Sequence, residues 1–152
     1  MPLDFFCPVP DPWLSVPEHK RATAGYKIDE DLCMIADESF FVRGCVEIPV
    51  IGQEEVFVWG VWVSLAEQNF KRVLDLWNAN VDQEPAMFGW LCNNIKIYQE
   101  TFGLKTNILL RNNGLRPLIT LEPTDHPFAL DQRNGITLER LEQIVVELMP
   151  RH

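Results

Sequence analysis

Two stretches rich in β-branched and aromatic residues predict a β-hairpin in the first half of the chain. Residues 40–48 and 56–63 have the composition typical of strands, and the segment 51–54 between them is predicted to turn the chain. The second stretch is apolar on both of its faces, so we expect it in the middle of a sheet. Trp59 and Trp62 are an odd number of residues apart and are therefore expected on opposite faces.

Apolar positions spaced three and four residues apart predict two main helices. Ser64 is the predicted N-cap of the first, whose buried stripe consists of Leu65, Phe70, Val73, Leu74 and Trp77. Thr137 is the predicted N-cap of the second, which covers 137–148 and buries Leu138, Leu141, Ile144, Val145 and Leu148. Shorter helices are predicted near 126–132 and over 15–22, the latter from the capping-box pair Ser15 and Glu18.

Short apolar segments predict the remaining strands, which are 32–35, 88–92, 106–111 and 115–121. Asn113 and Gly114 tolerate the positive φ angles of the turn between the last two, and Pro117 places the last strand at an edge or a bulge. Repeated prolines predict that residues 1–16 form an extended arm. We therefore predict an α+β fold in a single domain, 1–152: a mostly antiparallel, twisted sheet of about five or six strands packed by two main helices.

Composition and charge narrow the class of protein. The chain has 152 residues, of which 47% are hydrophobic and 23% charged, as in a folded globule rather than a disordered segment. No apolar run reaches the ~18 residues that cross a bilayer, and the N-terminus shows no secretory signal, so we expect a cytoplasmic protein without a membrane partner. A net charge of −9 disfavours nucleic acid as a partner.

The negative charge is concentrated near the N-terminus. Residues 1–38 hold eight acids and three bases, a net charge of −5, whereas residues 105–152 hold six of each. Five of these acids flank the predicted strand 32–35; they are Asp29, Glu30, Asp31, Asp37 and Glu38. Turns at the two ends of one strand could present them together as a docking patch for a basic protein partner, with solvated turns as the alternative.

The cysteines give no sign of a metal or cofactor site. Cys7, Cys33, Cys45 and Cys92 form no C-x-x-C pair and no Cys/His pair at zinc-finger spacing, and three of them lie among apolar residues. We therefore expect four free thiols, no bound metal and no cofactor.

One histidine is a candidate for chemistry. Asp125 beside His126 could orient the imidazole as a general acid or base. Thr124 or Asp125 as an N-cap, followed by Pro127 in the first turn, is also an ordinary helix start. The sequence carries no G-x-G-x-x-G, Walker, H-E-x-x-H or G-x-S-x-G motif, so we assign no catalytic residue.

Arg43 interrupts an otherwise apolar strand. A buried guanidinium must be paired, so we expect Arg43 to be bonded to a carboxylate or to several carbonyls. Glu47 lies on the same face of the strand, and Glu122 or Asp125 could approach from the last strand. A structural role and an anion-binding role for Arg43 both fit this pattern.

Three motifs resemble a small bacterial family known only as a domain of unknown function. They are FFVRGCVEIPV at 40–50, FVWGVWVSL at 57–65 and LEPTDHP at 121–127. The resemblance covers about residues 3–148 and implies a bacterial protein without an assigned activity. Members often begin with a C-x-x-C-G element typical of half a metal site, which this chain lacks.

These features favour a non-enzymatic protein that binds and masks a protein partner, in the manner of the small acidic immunity proteins of bacteria. Complementary charge would speed its association, and the exposed members of the set Trp13, Trp77 and Trp90 are candidate anchors. A second hypothesis is a small-ligand or anion site built from Arg43, Trp90, Arg116, Asp125 and His126. A third is a hydrolase that uses Asp125 and His126.

Overall fold

A computed structural model describes residues 4–149. In chain order the strands are β1 (Asp4–Phe6), β2 (Lys27–Ile28), β3 (Leu32–Ile35), β4 (Ser39–Pro49), β5 (Val56–Leu65), β6 (Met87–Leu91), β7 (Lys105–Leu109) and β8 (Leu118–Leu121). The α-helices are α1 (Glu67–Leu76), α2 (Pro127–Asn134) and α3 (Leu138–Leu148), and two 3-10 helices cover Asp11–Ser15 and Glu18–Lys20. Within residues 4–149, no helix is long and apolar enough to span a membrane.

The long hairpin of β4 and β5 is the centre of the sheet. It is antiparallel and paired from Phe40 opposite Leu65 to Pro49 opposite Val56, which confirms the predicted hairpin. From β5 the sheet continues antiparallel through β6, β7 and β8, and a parallel bridge between Cys45 and Leu118 joins β8 back to β4. Strands β4 to β8 thus close into a five-stranded barrel.

Three further strands extend this barrel. β3 pairs antiparallel with the first part of β4, β2 pairs with β3, and β1 runs parallel to the first part of β5. The α+β class is confirmed. The sheet differs from the prediction in having eight strands rather than five or six and in being mixed, with two of its eight strand pairings parallel. Because β4 and β5 are long, each pairs with two different strands along one of its edges: β4 with β3 and then β8, and β5 with β1 and then β6. The hydrophobic pattern of a strand does not indicate where its pairing partner changes.

The two faces of the hairpin belong to two apolar clusters. Trp59 belongs to the main core and Trp62 to a second core on the other face of the hairpin, as the odd spacing predicted. Trp13 and Val16 of the N-terminal segment complete the second core. The N-terminal segment is therefore a cover for one face of the sheet, held by apolar burial.

The helix starts differ in part from the predictions. α1 begins at Glu67 after Ala66, because Ser64 and Leu65 are still paired in β5 opposite β4. Only Phe70 and Val73 of the predicted stripe are buried within α1, whereas Leu74 and Trp77 are exposed. α3 begins as predicted: the Thr137 side chain accepts a hydrogen bond from the Arg140 N–H at 3.0 Å.

The N-terminal segment is not a plain extended arm. Its described part forms β1 and the 3-10 helix Asp11–Ser15; residues 1–3 of the predicted arm lie outside the described residues. The predicted α-helix over 15–22 is absent, and the short 3-10 helix Glu18–Lys20 takes its place. The reason is Pro17, which disfavours helical backbone at the residue before it and so ends the first turn at Ser15.

Candidate functional site

Arg43 lies on the face of β4 that the N-terminal segment covers. The residue is 8% exposed, and its Nη1 and Nη2 groups donate to the carbonyl oxygens of Glu30, at 3.1 Å, and Cys7. Its guanidinium carbon lies 5.2 Å from the ring centre of Trp62 and 5.8 Å from that of Phe6. The prediction that Arg43 is buried and bonded to carbonyl oxygens is confirmed.

One other arginine, Arg116, lies near Arg43. Arg116 Nε donates to Asp31 Oδ1 at 2.8 Å, and Arg111 Nη1 donates to Glu47 Oε2 at 3.0 Å. Glu47 is therefore the partner of Arg111 and not of Arg43. Burial, followed by the like charge of Arg116, lowers the pKa of Arg43, since both disfavour the charged guanidinium.

The contacts of Arg43 tie together segments that are distant in sequence. The Cys7 carbonyl accepts from Arg43 and also from Trp62 Nε1 at 3.0 Å, so this carbonyl fixes the N-terminal segment onto β4 and β5. On the other side, the Glu30 carbonyl fixes the acidic turn before β3. This geometry favours a structural tether over an anion site, because the two Nη groups face backbone oxygens rather than a cavity.

His126 caps α2 with its side chain. Nδ1 accepts from the Phe128 N–H at 3.1 Å, and Nε2 lies 3.0 Å from the Gln99 carbonyl, so Nε2 carries the hydrogen. Neither Thr124 nor Asp125 is the cap, in contrast to the prediction; the Thr124 hydroxyl accepts from the His126 N–H instead. Both ring nitrogens are thus engaged with backbone groups, as in a histidine that caps a helix.

The five residues of the alternative ligand site are not brought together. Arg43 and Arg116 share one face of the molecule, where both lie over the Phe6 ring. Trp90 points outward from β6, and His126 lies at the start of α2 with Asp125 exposed before it. Of these five side chains, Arg43 and Arg116 are the ones that the described contacts bring together.

An aromatic groove lies where β4, β5, β6 and the start of α1 meet. It has a volume of about 640 Å³, and we define it by Phe88, Trp90, Phe102 and Glu38. Phe88 and Trp90 form an edge-to-face pair with ring centres 4.9 Å apart, and each is 44% exposed. Exposed aromatic side chains grouped in a concave surface are typical of binding sites.

Sequence reasoning named Trp90 but missed Phe88 and Phe102. Along β6 the buried positions alternate with exposed ones, so Met87, Gly89 and Leu91 face inward. The signal that could have found the groove is this alternation, because it places both aromatic residues of the strand on the outer face. Nothing in the local pattern around Phe102 indicates that its loop folds beside them.

The five acids of the predicted docking patch have different surroundings. Asp29 Oδ1 accepts from the N–H groups of Asp31 and Leu32, both at 2.8 Å, and Asp31 pairs with Arg116. Glu30, Asp37 and Glu38 are exposed, and Glu38 lines the aromatic groove. β3 separates the two acidic turns by about 13 Å of strand, so they lie at its opposite ends.

The predicted anchors differ in exposure. Trp13 is buried in the second core, whereas Trp77 and Trp90 are 36% and 44% exposed. Trp90 and Glu38 line the same groove, and therefore one anchor and one acid of the predicted patch share a surface.

The cysteine thiols are held in their protonated form. Burial raises the pKa of Cys7 to about 11 and that of Cys33 to about 12, and it also raises the pKa values of Cys45 and Cys92. Only a thiolate is nucleophilic, so the raised pKa values slow the reactions of these thiols near neutral pH. Among residues 4–149, no three His, Cys, Asp or Glu side chains converge as metal ligands.

We expect Cys7 to react with iodoacetamide at neutral pH about a hundredfold more slowly in the folded protein than in urea. The reason is that a pKa raised from 9.0 to about 11 lowers the thiolate fraction by two powers of ten. Mass spectrometry of time points, with Cys7→Ser as the control for peptide assignment, measures this ratio. Equal labelling rates in the two states would contradict the burial of Cys7.

Fold and site together define an α+β domain with a closed barrel, a covered sheet face and an exposed aromatic groove. The chain belongs to a family described as an uncharacterized protein conserved in bacteria (DUF2199), whose model matches residues 1–136. The bacterial family resemblance is thereby confirmed. No curated protein and no solved structure matches the chain.

Proposed function

We propose that this chain is a non-enzymatic binding protein whose aromatic groove holds a basic segment of a protein partner. The observation that carries the proposal is the groove itself, in which the exposed pair Phe88 and Trp90 stands beside Glu38. Aromatic anchors surrounded by a polar rim are the usual anatomy of a protein interface. Masking of a bacterial toxin in the cytoplasm is the specific form of this proposal that the acidic charge favours.

The charges around the groove support a cationic occupant. Glu38 lines it, Asp37 precedes Glu38 in the same exposed turn, and the whole chain carries a net charge of −9. Lys105 Nζ lies 6.0 Å from the ring centre of Trp90, so this indole already contacts one cation within the chain. A lysine or arginine of the partner would gain a second cation–π contact and an ion pair with Glu38.

The test begins by identifying the partner. A photo-crosslinking amino acid is placed at Ser39, an exposed position that lines the groove, so that Phe88, Trp90 and Glu38 stay in place. As a control it is placed at the exposed position Val146 of α3, and both variants are expressed in the source bacterium. A protein captured at position 39 and not at position 146 is then purified. Surface plasmon resonance measures its binding to the unmodified chain and to variants. Absence of any protein specific to position 39 would contradict the proposal.

We expect Trp90→Ala to weaken this complex at least tenfold, mainly by faster dissociation, because a central aromatic anchor is lost. Neutralising Glu30, Asp37 and Glu38 to Gln, Asn and Gln should instead slow association and flatten its salt dependence. Val146→Ala is the matched control and should bind like the unmodified chain. If Trp90→Ala and the neutralised variant both bind normally, the interface lies elsewhere.

A further inference from the structure

A second concave surface lies at the opposite end of α1 from the groove. The loop that follows α1 and the loop between β7 and β8 enclose a pocket of about 410 Å³, within the range of small-ligand sites. We name it the amide pocket after its four asparagines, which together with Trp77 provide its functional groups: Asn78, Asn80, Asn112 and Asn113.

Hydrogen bonds between the two loops hold this pocket open in a defined shape. Asn112 Oδ1 accepts from the Val81 N–H at 2.8 Å, and Asn112 Nδ2 donates to Asp82 Oδ1. Asn80 Oδ1 accepts from the Asp82 N–H at 3.0 Å. Asn80 and Asn112 therefore build the pocket. Within residues 4–149, the side chains of Asn78 and Asn113 make no hydrogen bond and are exposed, so they can bind a ligand.

The chemistry of the lining selects a class of ligand. Among residues 4–149, no ionisable side chain lines the pocket itself and the neighbouring Asp82 carboxylate is bonded to Asn112, so the lining offers no counter-charge to a phosphate or a carboxylate. A primary amide presents one acceptor and one donor group side by side, which matches hydroxyl groups that both donate and accept. Trp77, which is 36% exposed, also lines the pocket, and an indole ring has a flat apolar face with a polar edge.

We propose that the amide pocket binds a neutral saccharide unit, which stacks its apolar C–H face on Trp77 and bonds its hydroxyls to Asn78 and Asn113. A purely apolar ligand would leave these amides without partners. The inference is independent of the protein-binding proposal, because the amide pocket shares no lining residue with the aromatic groove.

Nuclear magnetic resonance of the full chain labelled with ¹⁵N tests this site. Glucose, N-acetylglucosamine, maltose and cellobiose are added separately at millimolar concentration, and the free base adenine serves as a flat non-saccharide probe. We expect at least one saccharide to give saturable shifts of the Trp77 indole signal and of the Asn78 and Asn113 side-chain amides, while adenine gives none.

Two variants show whether such shifts report this pocket. Trp77→Ala should weaken the saccharide about tenfold or more, and Asn78→Ala should weaken it several-fold. Both residues are exposed, so the variants should keep the amide spectrum of the folded chain. Asn134→Ala, which alters an exposed asparagine on α2, is the control and should bind unchanged. Shifts with adenine alone, no saturable shift with any saccharide, or unchanged binding by Trp77→Ala would each overturn the inference.

Discussion

Replacing Asn93 with alanine is expected to lower the free energy of unfolding by about 4 kcal/mol. Asn93 is 2% exposed; its Oδ1 accepts from the Trp62 N–H at 2.7 Å, and its Nδ2 donates to the Val9 carbonyl at 2.9 Å. Removal of the amide leaves the buried Trp62 N–H and the partly buried Val9 carbonyl without these partners. Each such group costs about 1–3 kcal/mol, and the contact of Nδ2 with Asp11 is lost as well. Urea unfolding followed by tryptophan fluorescence measures the change.

Asn93→Asp is a sharper control because it keeps the shape of the side chain. The introduced carboxylate can still accept from the Trp62 N–H, but its second oxygen faces the Val9 carbonyl and the Asp11 carboxylate. Burial and repulsion raise the pKa of this carboxyl in the folded state above its unfolded value of about 3.9. The penalty should therefore be small below about pH 4 and grow as the pH rises. A loss for Asn93→Ala below about 1 kcal/mol would show that water replaces the amide.

The hairpin of β4 and β5 could be predicted from the sequence because its signal is local. Alternating and continuous runs of Phe, Val and Trp determine both the strand type and the opposite placement of Trp59 and Trp62. The role of Asn93 could not be predicted in this way. The pair Asn93 and Asn94 has the appearance of an exposed turn, whereas the partner Val9 is 84 residues away in the sequence.

The same distinction between local and distant contacts applies to the candidate site. Arg43 could be predicted to be buried because its neighbours in the strand are apolar. Its partners are backbone carbonyl groups. Because every residue carries such a group, the sequence does not indicate which residues Arg43 contacts. The groove depends on Phe102, whose position beside Trp90 follows from how the loop before β7 folds. At Ser64 the local pattern was misleading. The residue has a sequence context typical of a helix N-cap, but it pairs in β5 with Phe41 and Trp90 instead.

Gly60→Val is expected to destabilise the chain by about 3 kcal/mol, the upper end of the usual cost of overpacking. A Cβ atom at Gly60 would lie only 1.8 Å from Phe6 Cδ1, because the Phe6 ring occupies the space above the glycine. Phe6 is the residue paired with Gly60 in the parallel bridge of β1 and β5, and its ring contacts Arg43 and Arg116. The valine should therefore displace β1 from the sheet rather than merely shift a side chain.

A double-mutant cycle separates this clash from other effects of valine in a strand. Phe6→Ala alone should cost about 1 kcal/mol, because Phe6 is already 40% exposed. In the Phe6→Ala background, Gly60→Val should cause little further loss of stability. The loss in the double variant should therefore be smaller than the sum of the two single losses by at least about 1.5 kcal/mol. Additive losses would mean that the valine clashes with something other than Phe6.

Displacement of β1 can also be measured by the reactivity of Cys7, the residue that follows this strand. Release of the segment would break the contacts of the Cys7 carbonyl with Arg43 and Trp62 and would expose the Cys7 thiol. Its pKa would then fall from about 11 toward 9.0, and alkylation at neutral pH would accelerate by up to about a hundredfold. Cys33, which lies in the second core on β3, should react faster as well if the cover has left that face. Slow labelling of both thiols in Gly60→Val would show that the covering segment stays in place, so that the loss of stability must come from strain within β5.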